Sequence, residues 1–307
     1  MTDGAAPDRW YQRFLVHGVF WRQLLRWAVL CVPFWLEPVV MGAWSLIFLL
    51  WGPGRRGVMR NLTAILPGSS AAANFIRTYR VFWNFAWTIA DNVRFQEQHV
   101  SPDWEFEGLQ HFESLQARRG GAIILTAHMG NYDLGAHIFA QTSDRRITMV
   151  RAPESDPETR RYEEEQQDRV ITNERFRVDF STRASELALD LLDALRRGEI
   201  IAIQGDRVTA GISSLPATLF GKRMEIPAGP FALSMTARVP IYPLFIFRLG
   251  RRRYRLVASE PFEVVRTRDR AEAFERAVAR WTVELERVVR AAWFQWFTFQ
   301  PYSEELG

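Results

Sequence analysis

The stretch GAIILTAHMGNYDLGAH, residues 121–137, decides how the rest of the chain is read. It opens on apolar, β-favouring residues, and this run ends at His128. Gly130 and Asn131 follow at once, then Asp133, then apolar residues at helical spacing. A short apolar run closed by Gly-Asn reads as a buried strand that turns sharply into a helix. In an open α/β sheet, loops beyond the carboxyl ends of strands face the usual ligand crevice, so His128 is expected there. On one continuous helix, residues five apart sit about 140° apart and do not meet. Across a strand-to-helix turn they can. Asp133 is therefore expected to accept the Nδ1 proton of His128 and leave Nε2 as a general base. That is the histidine–carboxylate half of a serine-protease triad without the serine, so the nucleophile would be the substrate's own hydroxyl. The competing reading is a histidine satisfied within the core, because a His-x4-Asp spacing often arises by chance.

Working outward, further strands are expected at 122–126, 147–150, 177–180, 199–204, 241–247 and 254–258. Helical patterns alternate with them at 134–141, 185–197, 229–237 and 270–293. Leu187, Leu191, Leu192 and Leu195 share one face of the second of these, which stops at Gly198. Strands alternating with helices predict an α/β fold, with a central, largely parallel sheet flanked by helices. The charged stretch 152–169 reads as a solvated helix with pairs such as Glu165–Arg169 at four-residue spacing. Upstream, 55–95 gives two helical patterns separated by Pro67-Gly68-Ser69-Ser70.

The N-terminal region has a different character. Between Trp27 and Trp51 the only charge is Glu37, tryptophans bracket the run, and arginines flank it. Those are marks of a membrane interface. Pro33 and Pro38 break the run, and 38–51 is shorter than the ~20 residues a spanning helix needs. A tilted span and an in-plane anchor both fit the pattern. The expected organisation is a membrane-anchoring segment over 1–60 and an α/β catalytic domain, with its helical lead-in, over 61–307.

Composition narrows the function classes. With 307 residues and 48% of them hydrophobic, the chain can bury a sizeable core. Charged residues are 24%, which excludes a disordered polyelectrolyte. Of 39 basic residues only Lys222 is a lysine, and arginine's planar fork suits phosphate and carboxylate. The single cysteine, Cys31, allows no intrachain disulfide. Zinc-ligand spacings, a Gly-x-Ser-x-Gly elbow, a Walker loop and a Gly-x-Gly-x-x-Gly fingerprint are all absent from the sequence. No metal and no resident cofactor are expected. The sequence also carries no nucleic-acid recognition motif.

Three blocks then occur in order: TAHMGNYDLG, LRRGEIIAIQGDR and LFGKRMEIPAGPFALSMTARVPIYPLFIF. Together with the lead-in RRGVMRNL, LPG and RVFWNFA, they resemble the lysophospholipid acyltransferase superfamily. The similarity is closest to the late acyltransferases of bacterial lipid A biosynthesis, and it runs from about Trp27 to Trp296. The resemblance implies a membrane-bound enzyme at the cytoplasmic face of the bacterial inner membrane. It would move a fatty acyl chain from acyl carrier protein or a coenzyme A thioester to a lipid hydroxyl. His128 and Asp133 match the family's catalytic pair. Asn131, Arg151, Asp206, Arg207 and Arg223 are the substrate-binding candidates, with Asp206 shaping the site and Arg207 meeting phosphate or oxyanion. The acceptor stays open between a lipid A precursor and related lipids. So do a non-catalytic membrane-docking role and a lipid esterase, in which water would be the acceptor.

Overall fold

The computed structural model describes residues 19–52, 54–98, 102–135, 139, 143–151, 176–180, 184–209 and 211–306. Helices α1 (Val19–Cys31), α2 (Glu37–Trp51), α3 (Arg55–Ile65) and α4 (Ala71–Gln98) lead into the sheet. Strand β1 (Asp103–Glu107), helix α5 (Leu109–Ala117), β2 (Ala122–Thr126), β3 (Ile147–Arg151) and β4 (Phe176–Phe180) follow. Next come α6 (Ala184–Arg196), β5 (Ile200–Gln204), the hairpin β6 (Ser214–Leu219) and β7 (Lys222–Pro227), and α7 (Gly229–Ala237). The pair β8 (Ile241–Gly250) and β9 (Arg253–Ala258) and the long α8 (Arg270–Ala292) complete the chain's main elements.

Seven strands form one sheet in the order β1-β9-β8-β2-β5-β3-β4. Every neighbouring pair is parallel except β8–β9. The expected α/β architecture with a largely parallel sheet is therefore present, with β2 at its centre. Helix α6 stops where expected, at Gly198 with φ 86°. Residues 132–135 and 139 are helical, while the rest of the expected 134–141 helix lies outside the described residues, as does the expected helix over 152–169.

Two features were not expected. The edge strand β1, DWEFE, carries charges at alternate positions and pairs on one side only, so its apolar signal is weak. The β6–β7 hairpin contains Pro216 in its first strand, which a strand pattern argues against. Its two-residue turn, Phe220-Gly221, has φ of 49° and 74°, the doubly left-handed geometry that matches strand twist.

Side chains alternate between the two faces of the sheet. On one face Trp281 of α8 stacks on Phe245 with centroids 5.8 Å apart, and Ile123, Leu125 and Ile201 pack around them. On the other face Ile124, Ala202, Leu244 and Tyr254 meet Leu115 of α5.

Helix α2 is docked on α4. Glu37, 5% exposed although it opens an apolar helix, pairs with Arg94 of α4 at 2.8 Å. Among the described residues no helix is long and apolar enough to cross a membrane, so the tilted-span alternative for 27–51 is not met: a bend around Pro33 splits the run into α1 and α2. Residue 60 falls inside α3, whose Asn61 donates to the carbonyls of Thr298 and Gln300. That helix thus belongs with the C-terminal segment.

Gly130 fits where no other residue would. Its φ is 57°, and a Cβ there would sit 1.7 Å from the Ile246 carbonyl oxygen. Gly221 shares the left-handed backbone, with φ 74°, but nothing lies within 4 Å of its missing Cβ. Gly221→Ala should therefore cost about 1 kcal/mol, the backbone term alone. Gly130→Ala should cost clearly more, at least about 2 kcal/mol, because backbone must move as well. Urea denaturation of the two variants checks that order.

Candidate active site

Strands β2 and β5 run parallel with Ala122 opposite Ile200 and Thr126 opposite Gln204, an offset of 78 residues. Both chains continue past the sheet edge, and the same offset sets His128 against Asp206. The imidazole Nδ1 lies 2.7 Å from Asp206 Oδ1. The His128 backbone N–H donates to Asp206 Oδ2 at 3.1 Å, and Trp296 Nε1 donates to that same oxygen at 2.9 Å. Asp206 is 1% exposed. Burial pushes its carboxyl up. The neighbouring His128, the Arg207 charge and the Trp296 donor outweigh burial and hold it well below the usual carboxylate range.

With Asp206 ionised, Nδ1 is the protonated nitrogen of a neutral His128, and Nε2 carries the lone pair. Arg207 Nε donates to Nε2 at 3.2 Å. The guanidinium itself is exposed, so the line Asp206–His128–Arg207 runs from the interior to the surface. Among the described residues, neither imidazole nitrogen is hydrogen-bonded to a Ser, Thr or Cys side chain.

This corrects the pairing expected from spacing. The carboxylate on Nδ1 is Asp206, not Asp133. Beyond His128 the chain does not turn at once. Met129 and Gly130 first bridge to Trp296 and Ile246, and the helical turn begins only at residue 132. Asp133 lies half-buried in that turn.

Asn131 is also relocated. It is 1% exposed, its Oδ1 caps the Leu134 N–H at 3.1 Å, and its Nδ2 points to Tyr254 Oη at 3.4 Å. Both ends of its amide are used within the protein, so it holds the helix start and is not placed to bind substrate. Tyr254 in turn donates to Asp91 of α4 at 2.5 Å. Burial and the Asp91 charge push the Tyr254 phenol well above its ordinary value, so it stays a donor. Asp91 also accepts from Arg248 at 2.8 Å and from Arg94 at 3.1 Å.

The other candidates scatter. Arg151 closes β3 opposite Phe180, and its side chain lies outside the described residues. Arg223 is the second residue of β7, where its N–H donates to Glu305 at 3.3 Å. The hairpin tip does approach the site, since Phe220 lies 6.5 Å from Trp296, the residue that holds Asp206.

Trp296 carried no signal in the sequence beyond its aromatic character. Its segment is stitched to the histidine loop, with Phe297 N–H donating to the His128 carbonyl and Gly130 N–H to the Gln295 carbonyl, both at 2.8 Å. Trp281 adds a second clamp from α8, donating to the Gly205 carbonyl at 2.9 Å. A small apolar cavity of about 30 Å³ lies next to the histidine loop, with Thr126, Tyr132 and Ile246 in its wall. A larger cavity lies elsewhere, and His128 is not among its lining residues.

Fold and site together define an α/β protein whose sheet edge presents a carboxylate-held imidazole with, among the described residues, no Ser, Thr or Cys nucleophile bonded to it. The chain matches the bacterial lipid A biosynthesis acyltransferases over residues 7–302 and belongs to that family. It is an acyltransferase. No curated protein matches it.

The buried carboxylate has a measurable consequence. A carboxyl held low in the fold and ordinary in the unfolded chain adds stability above its unfolded value, and that contribution is lost as pH falls through the folded value. The stability gap between the parent and Asp206→Asn should therefore narrow as pH falls below about 4. Urea titrations at several pH values check this, and a gap that widens in acid would contradict it.

Proposed function

We propose that the protein transfers a fatty acyl group from an acyl carrier protein or coenzyme A thioester to a hydroxyl of a lipid acceptor, with His128 as general base. The observation that carries this reading is the hydrogen-bonded line from Asp206 through His128 to Arg207. Asp206, rather than Asp133, orients the base. The acceptor hydroxyl takes the Nε2 lone pair that Arg207 holds in this structure. Its proton passes to Nε2 as its oxygen bonds to the thioester carbonyl carbon. Arg207, displaced from Nε2, is placed to meet the oxyanion of the tetrahedral intermediate. Collapse breaks the C–S bond, and the imidazolium returns the proton to the leaving thiolate. The acceptor fitting the family is a lipid A precursor.

The reaction site belongs at a membrane surface. Helices α1 and α2 and the bend between them expose Trp27, Phe34, Trp35, Val39, Leu50 and Trp51, with Trp35 67% and Trp51 70% exposed. Such a face suits an in-plane anchor, its apolar side set into the boundary between headgroups and acyl chains. We place the anchoring segment on these two helices and the acyltransferase domain after them, at the cytoplasmic face of the inner membrane.

Transfer of radiolabelled acyl groups from acyl carrier protein and from coenzyme A to a lipid A precursor tests the reading. His128→Ala should lose about 10²–10⁴ of turnover. Asp206→Asn keeps the shape but disturbs the tautomer, and a loss of about 10³–10⁴ is expected by analogy with the serine-protease triad. Arg207→Ala should lose about 10²–10³, and Arg207→Lys, which keeps charge but not the planar fork, should lose less. Near-parental turnover in His128→Ala would sink the mechanism. Lipid analysis of a deletion strain should show one acyl chain missing.

Docking has its own readout. Trp35→Glu combined with Trp51→Glu should shift the protein from the membrane pellet toward the supernatant. Secondary structure, read by circular dichroism, should not change. Unchanged sedimentation would remove α1 and α2 from the anchor.

A further inference from the structure

A cavity of about 640 Å³ lies between α4, strands β8 and β9 and the end of α8. Its floor is apolar, with Phe247, Val257, Val288 and Ala292 all buried. Its lining also carries Arg80, Arg248, Arg255 and Arg287 against a single carboxylate, Glu107. Three of these arginines are matched by acids: Arg248 by Asp91 at 2.8 Å, Arg255 by Glu105 at 2.9 Å, and Arg287 by Glu284 at 2.7 Å. Arg80 has no acid partner among the described residues. Its guanidinium rests on the ring of Phe294, 3.9 Å from the centroid, and 5.5 Å from that of Trp293. Among the described residues, the cavity thus holds a cation without an acid partner over aromatic faces, beside an apolar floor.

The two helices that line the cavity share a sequence pattern next to it. On α4, Ile76 lies one turn before Arg80, and on α8, Val283 lies one turn before Arg287. Ile76 and Val283 are each 71% exposed. An apolar residue followed one turn later by an arginine suits the boundary between hydrocarbon and headgroups. Helix α2 packs against two of the residues that line the cavity. A Cβ on Gly42 of α2 would lie 3.3 Å from both Trp83 and Tyr79, two of the cavity's lining residues.

We propose that this cavity binds an anionic membrane phospholipid, its phosphate on Arg80 and the upper part of its chains on the Phe247–Val257–Val288 floor. The volume suits a headgroup with the beginning of its chains, so the remainder of the lipid stays in the bilayer. The surface pair of Arg255 with Glu105 is half-exposed and weak, so a phosphate can recruit the Arg255 guanidinium. The site is distinct from the dyad. It touches the dyad's supports, however: Arg248 and Gln295 line the cavity, and Gln295 holds Gly130.

The test uses the purified full chain in a zwitterionic detergent, titrated by calorimetry with dihexanoyl phosphatidylglycerol, which is soluble as a monomer. One molecule should bind per chain. Dihexanoyl phosphatidylcholine should bind about tenfold more weakly, and Arg80→Gln should lose about tenfold for the anionic lipid, the scale of one charge-assisted contact. Ala291→Trp, at an exposed position in the wall, fills the mouth without touching charge and should abolish binding. His128→Ala should bind as the parent does. The proposal is overturned if inorganic phosphate binds as well as the lipid does, which leaves an anion site only. It is equally overturned if coenzyme A displaces the lipid, which reassigns the cavity to the acyl donor, or if both cavity variants bind normally.

Discussion

The arrangement of the site depends on one pairing, that of β2 with β5. Two parallel strands in register carry their next residues past the sheet edge side by side, so a fixed offset of 78 delivers His128 and Asp206 to the same place. A carboxylate there is almost without solvent and must be met by donors or lose its charge. Its donors come from separate parts of the chain: the imidazole and backbone of His128, and the indole of Trp296. Satisfying Asp206 therefore ties the C-terminal segment to the histidine loop. The same bonds fix which imidazole nitrogen is left for chemistry. Trp281 performs a related service one residue earlier, gripping the Gly205 carbonyl while it fills the core against Phe245.

A second buried constraint holds the N-terminal helices. Glu37, Arg94, Asp91 and Arg248 form a chain of alternating charge from α2 through α4 to β8, each member 10% exposed or less at its side chain. Two acids and two arginines leave the chain formally neutral. Buried pairs of this kind add little net stability compared with apolar packing, but removing one member strands a charge and is costly. Their consequence here is geometric. Glu37 is the only charge between Trp27 and Trp51, and its burial sets which side of α2 faces the protein and which side keeps Val39, Leu50 and Trp51 outward. Tyr254 extends the chain from Asp91 to Asn131, and so to the helix that starts behind His128.

By itself the sequence determined the alternation of strands and helices, the break of the apolar N-terminal run at Pro33, and the placement of His128 at the end of a buried strand. Each of these rests on local patterns: period two against period 3.6, and glycine or proline at a boundary. Gly130 was legible as a turn, though only the approach of the Ile246 carbonyl explains why it must be glycine. Edge strand β1 and the proline-containing β6 were not legible, because one-sided pairing leaves a weak apolar signature. The tertiary structure alone decided which carboxylate meets the imidazole. Asp133 is five residues from His128 and Asp206 is 78, and nearness in sequence favoured the wrong one. Strand register, which no local pattern encodes, brought the distant residue to 2.7 Å. The same holds for Trp296 and for Asn131, whose roles are set by segments that meet only when the sheet closes against α4 and the C-terminal chain.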